Sequence, residues 1–232
     1  MKFKSFSSSS KGNLNMLSDG ETTILIDCGI AFKKTRKLLN HNISGIDGVL
    51  CTHFHADHSK ALFDLSYHGV DCYALAETFE NLQLKGHRFH EINYGKFFEI
   101  GTFKILPFKL EHDVPCCGFL IQSGFERALY ITDTAYCKYR FNNIHILAIE
   151  CNYDLSIVNE RVDRGEMHKA QKSRLLATHF SLDNVKDFIK ANDTDSIREI
   201  HLMHLSNDNS DADRFEREIK KLVGCPVYIC DE

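Results

Sequence analysis

The feature that most constrains this chain is the stretch THFHADHS, residues 52–59, which continues directly from the apolar run DGVLC. Four side chains that can bind a metal, His53, His55, Asp57 and His58, fall within six residues where a buried strand is expected to end. They are too close together to converge on one tetrahedral ion, so the pattern calls for two. Imidazole nitrogen favours zinc and similar ions, and a carboxylate tolerates harder ones such as manganese. Three single residues occupy the same kind of position, each where an apolar run ends: His112 after KILPFKLE, Asp133 after ALYIT and His204 after IREIHLM. The plain alternative is a solvated histidine-rich loop plus ordinary strand-end residues. Recurrence of the strand-then-ligand context favours metal binding.

The stretch EHDVPCCGF, residues 111–119, looks at first like a local zinc site, with His112 close to Cys116 and Cys117. Adjacent strand residues point to opposite faces, so the two thiols cannot easily share an ion. The partners of His112 are therefore expected in the distant 53–58 loop. One thiol is expected to be buried as a small hydrophobe and the other to sit near the mouth of the site, with Pro115 stiffening the bend between them and His112.

The rest of the chain reads as two runs of strands with helices among them. Strands are expected at 3–6, 14–17 and 22–27, with Asp19-Gly20 as the hairpin turn, then a helix near 32–39, a strand at 47–52 and a helix at 60–67 stopped by Gly69. Strands recur at 97–100, 102–109, 118–122, 128–132 and 145–150. Helices follow near 169–176, 182–191 and 211–222, with strands at 199–203 and 227–230. This order implies an α/β architecture, two sheets packed face to face with helices outside, a four-layer αβ/βα sandwich. Only Ser7 to Ser10 is rich in small polar residues, so residues 1–232 read as a single domain.

Composition closes off other classes. A chain of 232 residues that is 43% hydrophobic can bury a core, which argues against disorder. Nine scattered cysteines, without a C-x-x-C pair, exclude a zinc ribbon or thioredoxin-type motif and suit a reducing compartment. No apolar run matches a secretory leader or a bilayer span, so a soluble cytoplasmic protein with no membrane partner is expected. The net charge of −4 argues against broad electrostatic attachment to nucleic acid but leaves a local basic groove open. Arg161, Arg164, Lys169, Lys172 and Arg174 cluster, diluted by Glu160, Asp163 and Glu166, and read mostly as a solvated helix face.

In order along the chain, SSSSKGN, LIDCG, THFHADH, HDVP, YITDT, IECNYD, ATHFSLDN and HLMHLSNDN resemble the metallo-β-lactamase superfamily. Within it they are similar to the YycJ/WalJ-like branch of bacterial exonucleases and, more distantly, to tRNA 3′-processing endonucleases of the RNase Z type. The resemblance runs from near residue 5 to near residue 210. It implies the metallo-β-lactamase fold and two divalent metal ions, Zn2+ first and Mn2+ as the alternative. It further implies that His53, His55 and His112 hold one ion, Asp57, His58 and His204 the other, and that Asp133 bridges them. Asp27 in LIDCG is implied to brace the ligand loop, a strand-end turn residue being its plain reading.

Phosphodiester hydrolysis needs activated water, neutralised phosphoryl charge and a proton for the leaving alkoxide. His179 in ATHFSLDN is the candidate donor. The RNase Z type has a His-Ser-Thr stretch in the matching place; Phe180 is inserted here, as suits the exonuclease branch. The plain reading of His179 is a residue preceding a helix N-cap at Ser181 or Asp183. Candidate catalytic residues are thus Asp57 and His179, with Glu150 read either as an orienting partner of His179 or as a solvent-facing carboxylate. The loops Ser7 to Asn13 and Ser206, Asn207 and Asn209 read as phosphate-binding candidates or as ordinary polar loops.

The expected function is a dinuclear metal-dependent phosphodiesterase acting on nucleic acid, a DNA exonuclease, with a nucleic acid or nucleotide phosphodiester as its partner. A small cyclic-nucleotide phosphodiesterase is the first alternative. An RNA-processing nuclease ranks lower because no long Gly-rich arm is present, and the intact ligand set counts against a non-catalytic metal-binding module. Asp133, where lactamases commonly carry Cys, counts against a lactamase. The oligomeric state is left open, a homodimer included.

Overall fold

A strand covered on both faces reads as one apolar run, and ILAIE is such a strand, with all five residues buried. The structure, a computed structural model, describes residues 1–192 and 194–230. Among these, the first half contains β1 (Lys2–Ser7), β2 (Leu14–Ser18), β3 (Thr23–Ile26), α1 (Phe32–Leu38), β4 (Gly48–Leu50), α2 (Ala56–Ser59), α3 (Leu62–Tyr67), β5 (Cys72–Leu75), α4 (Ala76–Asn81) and β6 (Phe89–Ile92). The second half contains β7 (Phe98–Ile100), β8 (Phe103–Leu110), β9 (Cys116–Ser123), β10 (Glu126–Ile131), β11 (Ile146–Glu150), α5 (Leu155–Asp163), α6 (Lys169–Thr178), α7 (Leu182–Ala191), β12 (Glu199–Met203), α8 (Ala212–Lys220) and β13 (Val227–Ile229).

The strands form two sheets, in the orders β1-β2-β3-β4-β5-β6 and β13-β12-β11-β10-β9-β8-β7. Each begins with antiparallel hairpins and continues in parallel, from β3 to β6 in one and from β10 to β13 in the other. Alternation along the strands separates the core into layers. Leu17, Ile24, Ile26 and Leu50 of the first sheet meet Phe103, Phe119, Ile121 and Tyr130 of the second in a shared inner core. Leu25, Val49 and Cys72 face outward under Leu62, Leu65 and Phe79 of α3 and α4. Leu129, Leu147 and Ile200 pack under Val185, Phe188, Phe215 and Ile219 of α7 and α8. Helix, sheet, sheet, helix is the expected αβ/βα sandwich.

Two local departures have physical causes. The helix expected at 60–67 starts two residues later, as α3 at Leu62, and is separate from the short α2 before it, because the Ala61 N–H donates to the Cys28 carbonyl at 2.8 Å instead of joining a helical ladder. Helix α5 was not expected; its sequence LSIVNERVD buries only Val158, and Asp154 starts it by accepting from the N–H groups of Ser156 and Ile157. No helix among the described residues is long and apolar enough to cross a membrane.

Cys116 and Cys117 do face opposite cores, the first toward α7 and the second into the inner layer, and both are fully buried. Neither is at the mouth of the site: Cys116 Sγ lies beneath it, 3.6 Å from His53 Nδ1. Burial pushes the Cys72 thiol up to about 12 and that of Cys137 to about 11. It raises Cys28, Cys51, Cys116, Cys117 and Cys151 well above the usual range. Because the thiolate is the reacting form, these seven are expected to ignore Ellman's reagent at pH 8 and to react only in denaturant, as is buried Cys230 for lack of access, leaving partly exposed Cys225 to titrate in the native protein. Rapid reaction of several native thiols would contradict this packing.

Candidate metal centre

The candidate ligands collect at one edge of the sandwich, at the carboxyl ends of parallel strands from both sheets, where open α/β sheets commonly bind ligands. Asp27 follows β3, His53 follows β4, Asp133 follows β10 and His204 follows β12, while Glu150 ends β11. Asp27, Asp133 and His204 have positive φ values of 60°, 30° and 53°. Non-glycine residues held there are strained, and such strain gathers at functional sites.

Asp27 fixes the ligand loop from beneath. Its Oδ1 accepts from Thr52 N and Thr52 Oγ1, both at 2.9 Å, and its Oδ2 accepts from His58 Nδ1 at 2.8 Å and the Tyr130 hydroxyl at 3.1 Å. These bonds set the tautomers. His58 donates through Nδ1, leaving a lone pair on Nε2. Thr52 Oγ1 gives its proton to Asp27, so it accepts from His53 Nδ1 at 3.0 Å, and His53 Nε2 is likewise bare. His112 donates through Nδ1 to the Thr178 carbonyl at 3.0 Å and leaves its Nε2 bare.

The candidate ligand atoms form two groups, and a third set, Asp133, Glu150, His179 and His204, overlaps the second. Candidate ligand atoms of His53, His55 and His112 lie within 4.8 Å of one another, and so do those of Asp57, His58, Asp133 and His204. His53 Nε2 faces His55 Nδ1 at 3.0 Å, and His112 Nε2 faces the same atom at 3.4 Å. His58 Nε2 is 3.4 Å from Asp133 Oδ2 and 3.6 Å from Asp57 Oδ2. His204 Nε2 is fully buried without a hydrogen-bond partner, its closest charged neighbour being Asp57 Oδ2 at 3.8 Å. Three imidazoles in one group, two imidazoles with two carboxylates in the other, and the unpartnered buried His204 Nε2 form a donor set that fits a pair of divalent metal ions. The structure thus brings together all seven expected ligands.

Electrostatics shows that the group around Asp133 attracts positive charge. Burial opposes ionisation of Asp133, yet His204 and His58 outweigh it and hold the carboxyl well below its ordinary range. Burial also opposes charge on His58 and His204, but Asp133 with Asp27 raises the first, and Asp133, Asp57 and Glu150 raise the second. Burial dominates at His53 and His112 and pushes both down, toward the neutral form that binds metal.

Glu150 is not the solvent-facing carboxylate of its plain reading: it is fully buried and accepts four hydrogen bonds. Oε1 takes His179 Nδ1 at 2.6 Å and His204 Nδ1 at 2.9 Å, and Oε2 takes the backbone N–H groups of Thr134 at 3.1 Å and Phe180 at 3.0 Å. Its lone pairs are committed, so it braces both histidines. His179, with 21% of its side chain exposed, is then oriented with Nε2 away from Glu150, its ring centre 6.0 Å from that of His112 and 5.4 Å from that of His204. Burial works against its charge, but Glu150 outweighs it and raises its pKa. Ser181 caps α7, accepting from Asn184 N at 3.1 Å, so the capping expected near His179 is present too.

The Ser7 to Asn13 loop is turned largely inward, with Ser10 and Lys11 exposed. Ser7, Ser8, Ser9 and Asn13 are buried. Ser8 Oγ accepts from His204 N at 2.8 Å, while Asn13 Nδ2 reaches the Asp57 carbonyl and His58 Nε2, both at 3.1 Å. The loop supports ligands from behind. Gly12 and Gly29 permit this approach: a Cβ on Gly29 would lie 1.6 Å from the Asp57 carbonyl oxygen, and one on Gly12, at φ 149°, 2.6 Å from the Gly29 oxygen. Gly29→Ala is therefore expected to destabilise the fold by roughly 3 kcal/mol or more, read by chemical denaturation; unchanged stability would mean that the loop yields freely.

Arg161, expected on a solvated face, is instead only 19% exposed. It donates to Asn209 Oδ1 at 2.6 Å and, with Arg174, Gln171 and His179, lines a cleft of about 350 Å³ beside the ligands. Arg164 and Lys169 remain exposed.

The family profile described as a beta-lactamase superfamily domain matches residues 22–204 of this chain. The chain belongs to the beta-lactamase superfamily. Among its curated relatives in this superfamily is exodeoxyribonuclease WalJ of Streptococcus pneumoniae serotype 2 (strain D39), 26% identical over 227 residues, with 90% of this chain and 83% of that protein covered. Exodeoxyribonuclease YycJ of Bacillus anthracis is 26% identical over 226 residues, with 90% and 84% covered. The superfamily fold is also found in the metallo-beta-lactamase fold protein YhfI from Bacillus subtilis, with a TM-score of 0.77, 19% identity and coverage of 99% of this chain and 95% of that one. Zn2+-bound PqqB from Methylobacterium extorquens gives a TM-score of 0.74 at 14% identity, covering 100% and 98%.

Proposed function

We propose that the protein is a dinuclear metal-dependent phosphodiesterase acting on nucleic acid, a DNA exonuclease, with Zn2+ as its native metal and Mn2+ able to replace it. The observation that carries this reading is the pair of neighbouring ligand groups, with Asp133 Oδ2 3.4 Å from His58 Nε2 and 4.0 Å from His112 Nε2 and a Glu150-braced His179 beside them. In this reading His53, His55 and His112 hold one ion, Asp57, His58 and His204 the other, and Asp133 both. Relatives named exodeoxyribonuclease over nine-tenths of the chain support the substrate class.

When bound, a pair of divalent cations makes water acidic enough to serve as nucleophile near neutral pH and offsets charge on the phosphoryl group. The chain's own residues do the rest. Asp27 and Thr52 hold the imidazoles in the tautomers that leave ligand nitrogens bare. Asp57 carries a charge among the ligands and is partly exposed, where it also orients the attacking water. His179, with Nδ1 fixed on Glu150, offers its Nε2 proton to the departing alkoxide. Arg161 and Arg174 in the adjoining cleft attract the substrate backbone.

The test is incubation of purified protein with end-labelled duplex and single-stranded DNA plus Zn2+ or Mn2+, with RNA and cyclic mononucleotides in parallel. Release of nucleotides from DNA ends is expected. Cleavage of cyclic mononucleotides alone, or of nothing under either metal, would sink the exonuclease reading.

A further inference from the structure

Asp113 adjoins His112 in the turn between β8 and β9. Its Oδ1 lies 3.1 Å from His112 Nε2 and 3.6 Å from His55 Nε2, while its Oδ2 lies 3.3 Å from the Arg174 guanidinium of α6. At first glance the shortest of these is an imidazole-to-carboxylate hydrogen bond. Proton placement argues otherwise. His112 uses its Nδ1 proton on the Thr178 carbonyl, so in the neutral tautomer Nε2 has only a lone pair to present to Asp113. That same nitrogen faces His55 Nδ1 at 3.4 Å. Asp113 Oδ1 and His112 Nε2 therefore face each other as two acceptors with no proton between them, while neutral His55 carries its one proton on Nδ1 or on Nε2. Two ligands each about 2.0–2.1 Å from one zinc ion stand roughly 3 Å apart, which is the separation seen here.

We propose that Asp113 is a further ligand of the cation held by His53, His55 and His112, its outer oxygen clamped by Arg174. The Asp113 side chain is 34% exposed and approaches from the side of Arg174, which lines the cleft. It adds a second oxygen donor, after Asp133, to the three imidazoles, which suits Mn2+ as well as Zn2+. The inference rests on the two-cation reading of the site but not on the identity of the substrate.

Metal retention tests it without an activity assay. Wild-type protein, Asp113→Asn, Asp113→Ala and Arg174→Ala are each loaded with Zn2+ and, separately, Mn2+, then titrated with a chromophoric chelator, with circular dichroism of the metal-free forms as the folding control. Both Asp113 variants are expected to bind one of the two ions about 10- to 100-fold more weakly for each metal, with the other ion unaffected. Arg174→Ala, which keeps the carboxylate, is expected to stay within about threefold of wild type, well short of that range. Unchanged affinity in the Asp113 variants, or equal weakening in all three, overturns the proposal in favour of a plain ion pair. A wild-type protein holding two ions alongside insensitive Asp113 variants defeats this inference alone, whereas a wild-type protein that binds neither metal defeats the two-cation reading with it.

Discussion

Asp133→Asn is expected to leave the purified protein with about one metal ion per chain in place of two and to slow phosphodiester cleavage by about a thousandfold or more. Asp133 stands between the ligand groups, with Oδ1 3.2 Å from His204 Nδ1 and Oδ2 3.4 Å from His58 Nε2 and 4.0 Å from His112 Nε2. The amide keeps the size of the side chain but removes its charge and turns one of the two oxygens into an NH2 group that cannot hold a cation. Several kcal/mol of charge stabilisation depend on the cation pair, and about 1.4 kcal/mol corresponds to each tenfold in rate. Elemental analysis of protein purified without chelators reads the metal content, and hydrolysis of a chromogenic phosphodiester reads the rate. A variant that keeps both ions and most of its activity would show that Asp133 is not shared.

The seven ligand candidates could be picked out in the sequence because each follows an apolar strand, and a strand end is a position that short-range patterning identifies. The residues that orient them were harder to see. Glu150 also ends a strand, but its meaning depends on His179 and His204, 29 and 54 residues further along, and nothing in IECN distinguishes a buried hub from an exposed acid. Asp113 lies beside a ligand, yet only the Thr178 carbonyl, from the end of α6, settles which nitrogen of His112 can face it. The support that SSSSKGN gives the ligands is hidden for the opposite reason: a string of hydroxyls reads as a polar loop, whereas a close backbone approach at Gly12 and Gly29 accompanies the burial of Ser7, Ser8 and Ser9. In the fold, the layers and most strands follow from period-two burial. The short β5 and β6, with four residues each, and α5, with one buried residue, carry too little pattern to be recognised.

His179→Ala is expected to reduce DNA cleavage by about 10²- to 10⁴-fold while leaving the metal content of wild type intact. The two readouts separate because His179 Nδ1 is committed to Glu150 and so is not free to hold a cation. The choice of substrate then decides what the residue does. A DNA alkoxide is a poor leaving group that needs a proton, whereas a nitrophenolate leaves without one. If His179 supplies that proton, the alanine variant loses most of its rate on DNA and little on a nucleotide p-nitrophenyl phosphodiester. If it instead binds the phosphate or positions the backbone, both substrates slow together. Glu150→Gln extends the argument, because the amide can still meet His179 but no longer offers the negative charge that raises its pKa. That variant should therefore show the same substrate dependence in weaker form. Equal losses on the two substrates in both variants would take proton donation away from His179 and leave it a binding role.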